Sequence, residues 1–252
     1  SGRPVQSQVR LLATQRGLLR VDAGILHDLN HLPSVAVFTR FDGQAVEAGE
    51  EVAGAKITPV AVPAAVLDEA DTIRARRGQA VQVLPFKPLR TAIVVTERLK
   101  PRARQMFAEA VTRKLGWYGA QLLWVREVPR SGRAVHDAYA SARRDAAELI
   151  VFAGASSIDP LDAAYEELIH AGGSVVRMGA PSHPGSMLWL GRLGGAPVLG
   201  VASCAGFGKN TSLDLVLPYV FAYGRAEAED LIQLGHGGLV EAAAGRTFPP
   251  YT

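Results

Sequence analysis

Between Ala147 and Gly179 the chain passes from an apolar run through a break of small residues and a helix-compatible stretch to a second apolar run, an order that few folds accommodate. Ala147-Glu148-Leu149-Ile150-Val151-Phe152-Ala153 has the length of a strand and, from Leu149, no polar alternation, which suits a buried position. Gly154-Ala155-Ser156-Ser157 then brings side chains small enough for backbone to approach a ligand closely. Asp159-Pro160 reads as an N-cap followed by proline at the first helical position. The spacing predicts a helix over 161–170, with Leu161, Tyr165, Leu168 and Ile169 on its apolar face and Ala171-Gly172-Gly173 as its stop. Residues 174–179 read as a second strand. A helix N-terminus placed beside a small-residue loop offers free amides and the positive end of a dipole, which is an anion site.

The same alternation extends in both directions. Strands are predicted at 91–96, 121–125 and 147–152, with helices at 101–115 and 132–146 between them. Strands separated by helices of that length imply a mainly parallel sheet with helices on both faces, a three-layer α/β fold. Residues 186–193 and 197–201 bracket Gly194-Gly195 and read as a hairpin, and an apolar helix follows at 213–223. Residues 1–88 read as a separate small α+β region. In it Asp22 caps a helix at 23–32, 35–41 is a strand with its turn at Asp42-Gly43, 52–62 is extended, and Pro63 opens a helix to Arg77 with Val66, Leu67 and Ile73 apolar. A last strand at 80–86 leads to Pro85 and Pro88, which mark the junction with a domain over 89–252.

At 252 residues, 48% hydrophobic and 20% charged, the chain has the composition of a globular protein. It contains no apolar run near the ~18 residues that span a bilayer, and no signal peptide is evident. The start, Ser1-Gly2-Arg3-Pro4, reads as a segment cut from a longer protein. A single cysteine, Cys204, forbids an internal disulfide and suits a reducing cytoplasm. The net charge is +3, carried mostly by arginines at 74–77, 98–104 and 143–144. A basic balance favours anionic partners. No aromatics interleave with these arginines, so a nucleic-acid platform is excluded and they read as solvated helix faces.

Several familiar sites fail on spacing. A dinucleotide fingerprint needs glycines after the first strand of the unit, and Thr96-Glu97-Arg98-Leu99 has none. Gly208-Lys209-Asn210-Thr211 carries Asn210 where a phosphate loop needs a hydroxyl. His27 and His31 have the spacing of two helical metal ligands but no third ligand, and read as a solvated face. In open parallel sheets ligands bind beyond the carboxyl ends of the strands. The loops at 96–100, 154–162 and 201–210 would gather there, joined by the turn at 181–187.

Those loops resemble the molybdopterin-binding domain of molybdenum cofactor biosynthesis. Gly154-Ala155-Ser156-Ser157, with Asp162 eight residues after the glycine, is similar to that family's Gly-Gly-Thr/Val-Gly/Ser loop and trailing Asp. His183-Pro184-Gly185-Ser186-Met187 resembles its Lys-Pro-Gly-Lys-Pro turn, and Gly200-Val201-Ala202-Ser203-Cys204-Ala205 stands in place of its Gly-Leu-Pro-Gly-Asn-Pro loop. The likeness covers roughly 89–224. It is greatest to bacterial proteins in which this domain precedes a cytidylyltransferase-like domain, whose preceding region also resembles 17–22 and 56–63.

The resemblance implies a pterin dithiolene with one terminal phosphate as ligand, in molybdopterin or its nucleotide form. It implies a homo-oligomer, a cytidylyltransferase-like domain in the parent chain, and Mg²⁺ where adenylyl or molybdate transfer occurs. On it, Gly154, Ala155, Ser156, Ser157, Asp159, Gly185, Ser203 and Cys204 would hold the cofactor, with Asp162 as the catalytic residue. His183 replaces the lysine of the family turn. Asp162 has a structural alternative as an acid in the first helical turn, worth ~0.3–1 kcal/mol with the dipole, and Cys204 one as a small buried hydrophobe. Adenylyl-transferring relatives carry an Asp shortly after an Ile/Val-Pro pair, whereas Val128-Pro129 is followed here by Arg130. Ala155, Ala202 and Cys204 also depart from the pattern, so the acids needed to hold Mg²⁺ against phosphates are incomplete. The sequence thus leaves open a transferase, a non-catalytic binding or regulatory module with an altered anionic ligand, and an enzyme acting on an unrelated anion.

Overall fold

The computed structural model describes residues 8–96, 100–154, 158–201, 210–240 and 249, with 103 and 104 by backbone alone. The chain divides into two compact units, Ser1–Pro85 and Phe86–Thr252.

The first unit contains β1 (Gln8–Leu12), β2 (Gly17–Val21), α1 (Ala23–Asn30), β3 (Val35–Thr39), β4 (Ala45–Val46), β5 (Glu51–Ile57), α2 (Ala64–Arg77) and β6 (Val81–Pro85). Its strands form two antiparallel three-stranded sheets, ordered β1-β5-β3 and β4-β2-β6. Ala13, Leu19, Val46 and Val52 make the core between them. Asp22 caps α1 as expected, its carboxylate accepting from the Ile25 amide at 2.9 Å. The extended run stops at Ile57, short of the predicted 52–62, because Pro59 has no N–H to give a ladder. Helix α2 buries no residue, so Val66, Leu67 and Ile73 do not form a core-facing stripe. His27 and His31 are both exposed.

The second unit contains β7 (Arg90–Val95), α3 (Pro101–Trp117), β8 (Gln121–Glu127), α4 (Gly132–Arg144), β9 (Leu149–Ala153), α5 (Ala163–His170), β10 (Ser174–Met178), β11 (Trp189–Leu193), β12 (Ala196–Val201), α6 (Ser212–Tyr223) and α7 (Ala228–Ile232). One six-stranded sheet runs in the order β10-β11-β12-β9-β7-β8. Strands β12, β9, β7 and β8 are parallel neighbours, and β11 alone opposes them. The predicted strand–helix–strand unit is present as β9–α5–β10, but its crossover skips two places, which the β11–β12 hairpin then fills. That hairpin turns at Gly194-Gly195, as its sequence predicts.

Every residue of β9 is buried. Ala92, Val94, Ile150, Phe152 and Val198 point to a face covered by Val135, Tyr139 and Ala142 of α4 and by Ala164 and Leu168 of α5. Ile93, Val151 and Leu199 alternate to the other face and are equally buried. Helices α3 and α6 are joined there by stacking of Tyr118, just past the end of α3, on Phe221 at a centroid distance of 5.1 Å. Burying each large aliphatic side chain on this sheet contributes about 1.5–3 kcal/mol, so the layers are held by apolar area from both faces. Phe86 packs edge-on against Trp117 and Tyr118, and the Lys87 amide donates to the Phe221 carbonyl at 2.8 Å, which fixes the entry into this unit. No helix among the described residues is long and apolar enough to cross a membrane.

The organising helix begins later than its sequence suggested. Helix α5 starts at Ala163, and its N-cap is Asp162, not Asp159. Leu161 and Ile169 are exposed, and the buried face is Ala164, Tyr165 and Leu168. Asp159 instead closes a local turn, its Oδ1 accepting from the Leu161 amide at 3.0 Å. Asp162 wins the cap because the helix can then start on Ala163-Ala164, and Ala164 fits against the sheet where Leu161 would not.

Candidate functional site

The carboxyl ends of four parallel strands lie in one row. In the ladder Glu127 pairs with Val95, Val95 with Ala153, and Ala153 with Val201. The residue after each strand then donates to the last carbonyl of its neighbour: Val128 to Val95 at 3.0 Å, Thr96 to Ala153 at 2.9 Å, and Gly154 to Val201 at 2.8 Å. The ladder therefore extends one step past the strands before the chain is released. The loops that carry the resemblance leave from this row, and so does the Val128–Ser131 connection to α4. Gly154 takes φ 96°, a left-handed backbone that turns the chain away from the sheet at little cost for glycine.

The turn at 181–187 belongs to the same edge, because it joins the carboxyl end of β10 to the start of antiparallel β11. It is docked on α6. The Ser212 amide donates to the Pro184 carbonyl at 3.0 Å, the Ser182 and Ser212 hydroxyl oxygens are 2.6 Å apart, and the His183 amide donates to the Gly238 carbonyl at 2.9 Å. Gly185 has φ 108°, and a Cβ on it would stand 2.6 Å from both N and Oγ of Ser212, so only glycine fits. Thr211 and Asp214 form a capping box at the start of α6: the Thr211 amide donates to Asp214 Oδ2 at 2.7 Å, and Thr211 Oγ1 accepts from the Leu213 amide at 3.3 Å. The same Asp214 oxygen accepts from Lys114 Nζ at 2.7 Å, and both side chains are buried.

Asp162 is the most enclosed acid at the 154–162 loop, its side chain 1% exposed. One oxygen, Oδ1, accepts from the Ala164 amide at 2.9 Å. The other, Oδ2, accepts from Arg130 through Nε at 3.1 Å and also through Nη2. Behind the pair, Tyr139 Oη donates to the Ala164 carbonyl at 2.8 Å and ties the first turn of α5 to α4. Burial holds the Tyr139 hydroxyl well above its ordinary range, and the Asp162 carboxylate raises it further. Tyr165, edge-on to Trp189 at 4.9 Å, is raised by burial first and by Asp162 second, with Arg130 acting in the opposite sense.

Of the residues expected to form the site, Gly154, Asp159, Asp162 and Gly185 are placed at this edge, with Asp162 buried and Asp159 exposed. Ala155, Ser156, Ser157, Ser203 and Cys204 lie outside the described residues. Arg130, which the sequence marked only as a departure from the family pattern, is the cation paired with Asp162. Lys114 and Asp214 were not anticipated. The Thr-Ser-Leu-Asp run at 211–214 carries a readable capping signal, whereas nothing local in sequence pairs Lys114 with a residue 100 positions away. Among the described residues no group of three or more His, Cys, Asp or Glu side chains is arranged to hold a metal ion. Both Asp162 oxygens are already engaged, so Asp162 does not fit as a ligand of a bound Mg²⁺.

No family model matches the chain, and no curated protein matches it. Among solved structures it is similar to a molybdopterin biosynthesis MoeA protein from Pyrococcus horikosii, at 14% identity over 88% of this chain and 72% of that one, with a TM-score of 0.41. It is similar to the molybdopterin biosynthesis enzyme MoaB from Thermus thermophilus, at 15% identity over 52% of this chain and 91% of that one, with a TM-score of 0.38. A molybdopterin biosynthesis protein from Mycobacterium abscessus matches at 14% identity over 54% of this chain and 94% of that one, with a TM-score of 0.35. At identities and scores this low the likeness bears on neither ligand nor mechanism.

Proposed function

We propose that this chain binds molybdopterin in the biosynthesis or handling of the molybdenum cofactor, with the pterin phosphate at the 154–162 loop. The observation that carries the reading is the row Glu127, Val95, Ala153, Val201. Two loops whose sequences resemble one family's ligand loops, at 154–162 and 200–205, take their roots from a single sheet edge, and the third motif, the turn at 181–187, is docked beside them on Ser212. Gly154 opens the phosphate loop, and the amides that follow it, with the Ser156 and Ser157 hydroxyls, would receive the phosphate. Ser203 and Cys204 would meet the ligand from the facing loop, and Asp159 and Gly185 would line its rim.

A second reading is a non-catalytic binding or regulatory module of this fold, and one observation favours it. Asp162, the acid that would act in transfer chemistry, is consumed by a cap and an ion pair. Titration of the purified chain with molybdopterin and with its adenylylated form tests both readings. Binding at micromolar concentration is expected, and its absence rejects them together. Turnover that depends on ATP or molybdate in the bound protein would select the transferase, and binding without turnover the module.

A further inference from the structure

We infer that Arg130, rather than Asp162, meets the anionic group of the ligand, and that Asp162 is the positioning residue behind it. The inference rests on the molybdopterin reading for the identity of the ligand and on the geometry alone for the role of the arginine.

A guanidinium carries five N–H donors in a rigid fork. Arg130 directs Nε and Nη2 at Asp162 Oδ2, and its side chain is nevertheless 46% exposed. Its remaining N–H groups find no acceptor among the described residues. The buried carboxylate thus fixes one edge of the guanidinium and leaves the other toward solvent. The backbone of Arg130 comes from the Val128–Ser131 connection, which leaves the sheet beside the end of β7, while Asp162 closes the loop that leaves the end of β9. The cation therefore bridges two connections of the ligand edge. Planar, preorganised and always charged, it suits a phosphate bound directly, edge to edge.

The same geometry argues against a divalent cation as the bridge. A metal at Asp162 would have to displace Arg130 from Oδ2 and stand beside its positive charge. Without the arginine the buried carboxylate would repel an incoming phosphate, so Asp162 serves an anion site only when paired. Two other acids belong to the same region: exposed Asp159, and Glu167, which lies beside Gly132 at the start of α4 and is paired with His136 at 3.1 Å. The geometry suits an oxyanion bound without bridging metal, which on the molybdopterin reading is a phosphate monoester.

The test is calorimetric titration of the full 252-residue chain with molybdopterin and, separately, with inorganic phosphate. Arg130→Gln is expected to weaken molybdopterin roughly tenfold or more, Arg130→Lys to fall between, and EDTA to change the wild-type affinity less than about twofold. Because Arg130→Gln strands a buried carboxylate, the double variant Arg130→Gln/Asp162→Asn removes both charges, and its fold is checked by thermal melting. It is expected to stay weak. Recovery of wild-type affinity in the double variant, unchanged affinity in Arg130→Gln, or loss of binding with EDTA overturns the assignment. Wild-type protein that ignores molybdopterin but binds inorganic phosphate through Arg130 keeps the assignment and rejects the pterin reading. Binding of neither rejects both.

Discussion

Lys114 Nζ and Asp214 Oδ2 are 2.7 Å apart in the interior, with 6% and 0% of their side chains exposed. The pair fastens the last turns of α3 to the first turn of α6, and the same Asp214 oxygen holds the Thr211 amide. Removing one member of a buried pair leaves an uncompensated charge, which costs about 3–5 kcal/mol. Lys114→Met is therefore expected to lower the melting temperature by roughly 10 °C. Trp117, Trp124 and Trp189 are the chain's three tryptophans and all lie in the second unit, so their fluorescence follows that unit alone. A shift of only a degree or two would mean that the charge escapes to water and the pair is not a structural tie.

Trp189 lies across Gly200 on the neighbouring strand, where a Cβ on the glycine would stand 1.7 Å from the indole Nε1. Trp189 is fully buried, so its ring has nowhere to move. Gly200→Ala is expected to cost about 3 kcal/mol or more by overpacking, and to blue- or red-shift the tryptophan emission as the ring is displaced. Gly195→Ala, in the hairpin turn of the same sheet, meets nothing within 4 Å and serves as the control. Its effect should stay within about 0.5 kcal/mol. Equal stability of the two variants would contradict the packing described.

Much of this architecture was legible because its signals are local. The apolar run at 149–153 reads as a buried strand, and Gly194-Gly195 between two apolar runs reads as a tight hairpin, and both are present. The skipped crossover was not legible, since the place a strand takes in a sheet depends on pairings that leave no mark within the strand. The start of α5 was misplaced for a related reason. Asp159-Pro160 is the better local start signal, and Asp162 prevails through Arg130 and the fit of Ala164, both supplied by distant chain. Arg130 showed the same limit: the sequence displayed its oddity, and only the fold gave it a partner.

Alkaline pH should find two buried tyrosines still neutral. Tyr139 and Tyr165 have their hydroxyls raised above the ordinary 10.0 by burial and then by Asp162. A raised folded-state value means that folding favours the neutral phenol. This stabilisation is complete below pH 10 and is lost as pH climbs through the folded-state values. Unfolding free energy should therefore fall with pH above about 10, and more gently in Tyr165→Phe than in the wild type. In a titration at 295 nm, Tyr139 and Tyr165 should stay silent until the chain unfolds. Ionisation of these two hydroxyls near pH 10, without loss of structure, would be the contrary result.

The loop at 154–162 offers a last and more direct prediction. Helix α5 already carries Asp162 at its N-cap and Glu166 in its first turn, and the charge of Asp162 is balanced by Arg130. A further negative charge at position 157 would oppose a phosphate at the same helix end. Ser157→Asp is expected to weaken molybdopterin binding at least tenfold at low ionic strength, with the loss shrinking as salt is added because screening softens the repulsion. Ser157→Ala removes only a hydroxyl and should cost far less, which separates charge from the loss of a hydrogen bond. If Ser157→Asp binds as the wild type does, the loop that begins at Gly154 does not touch the phosphate, and the ligand must enter this sheet edge in another orientation.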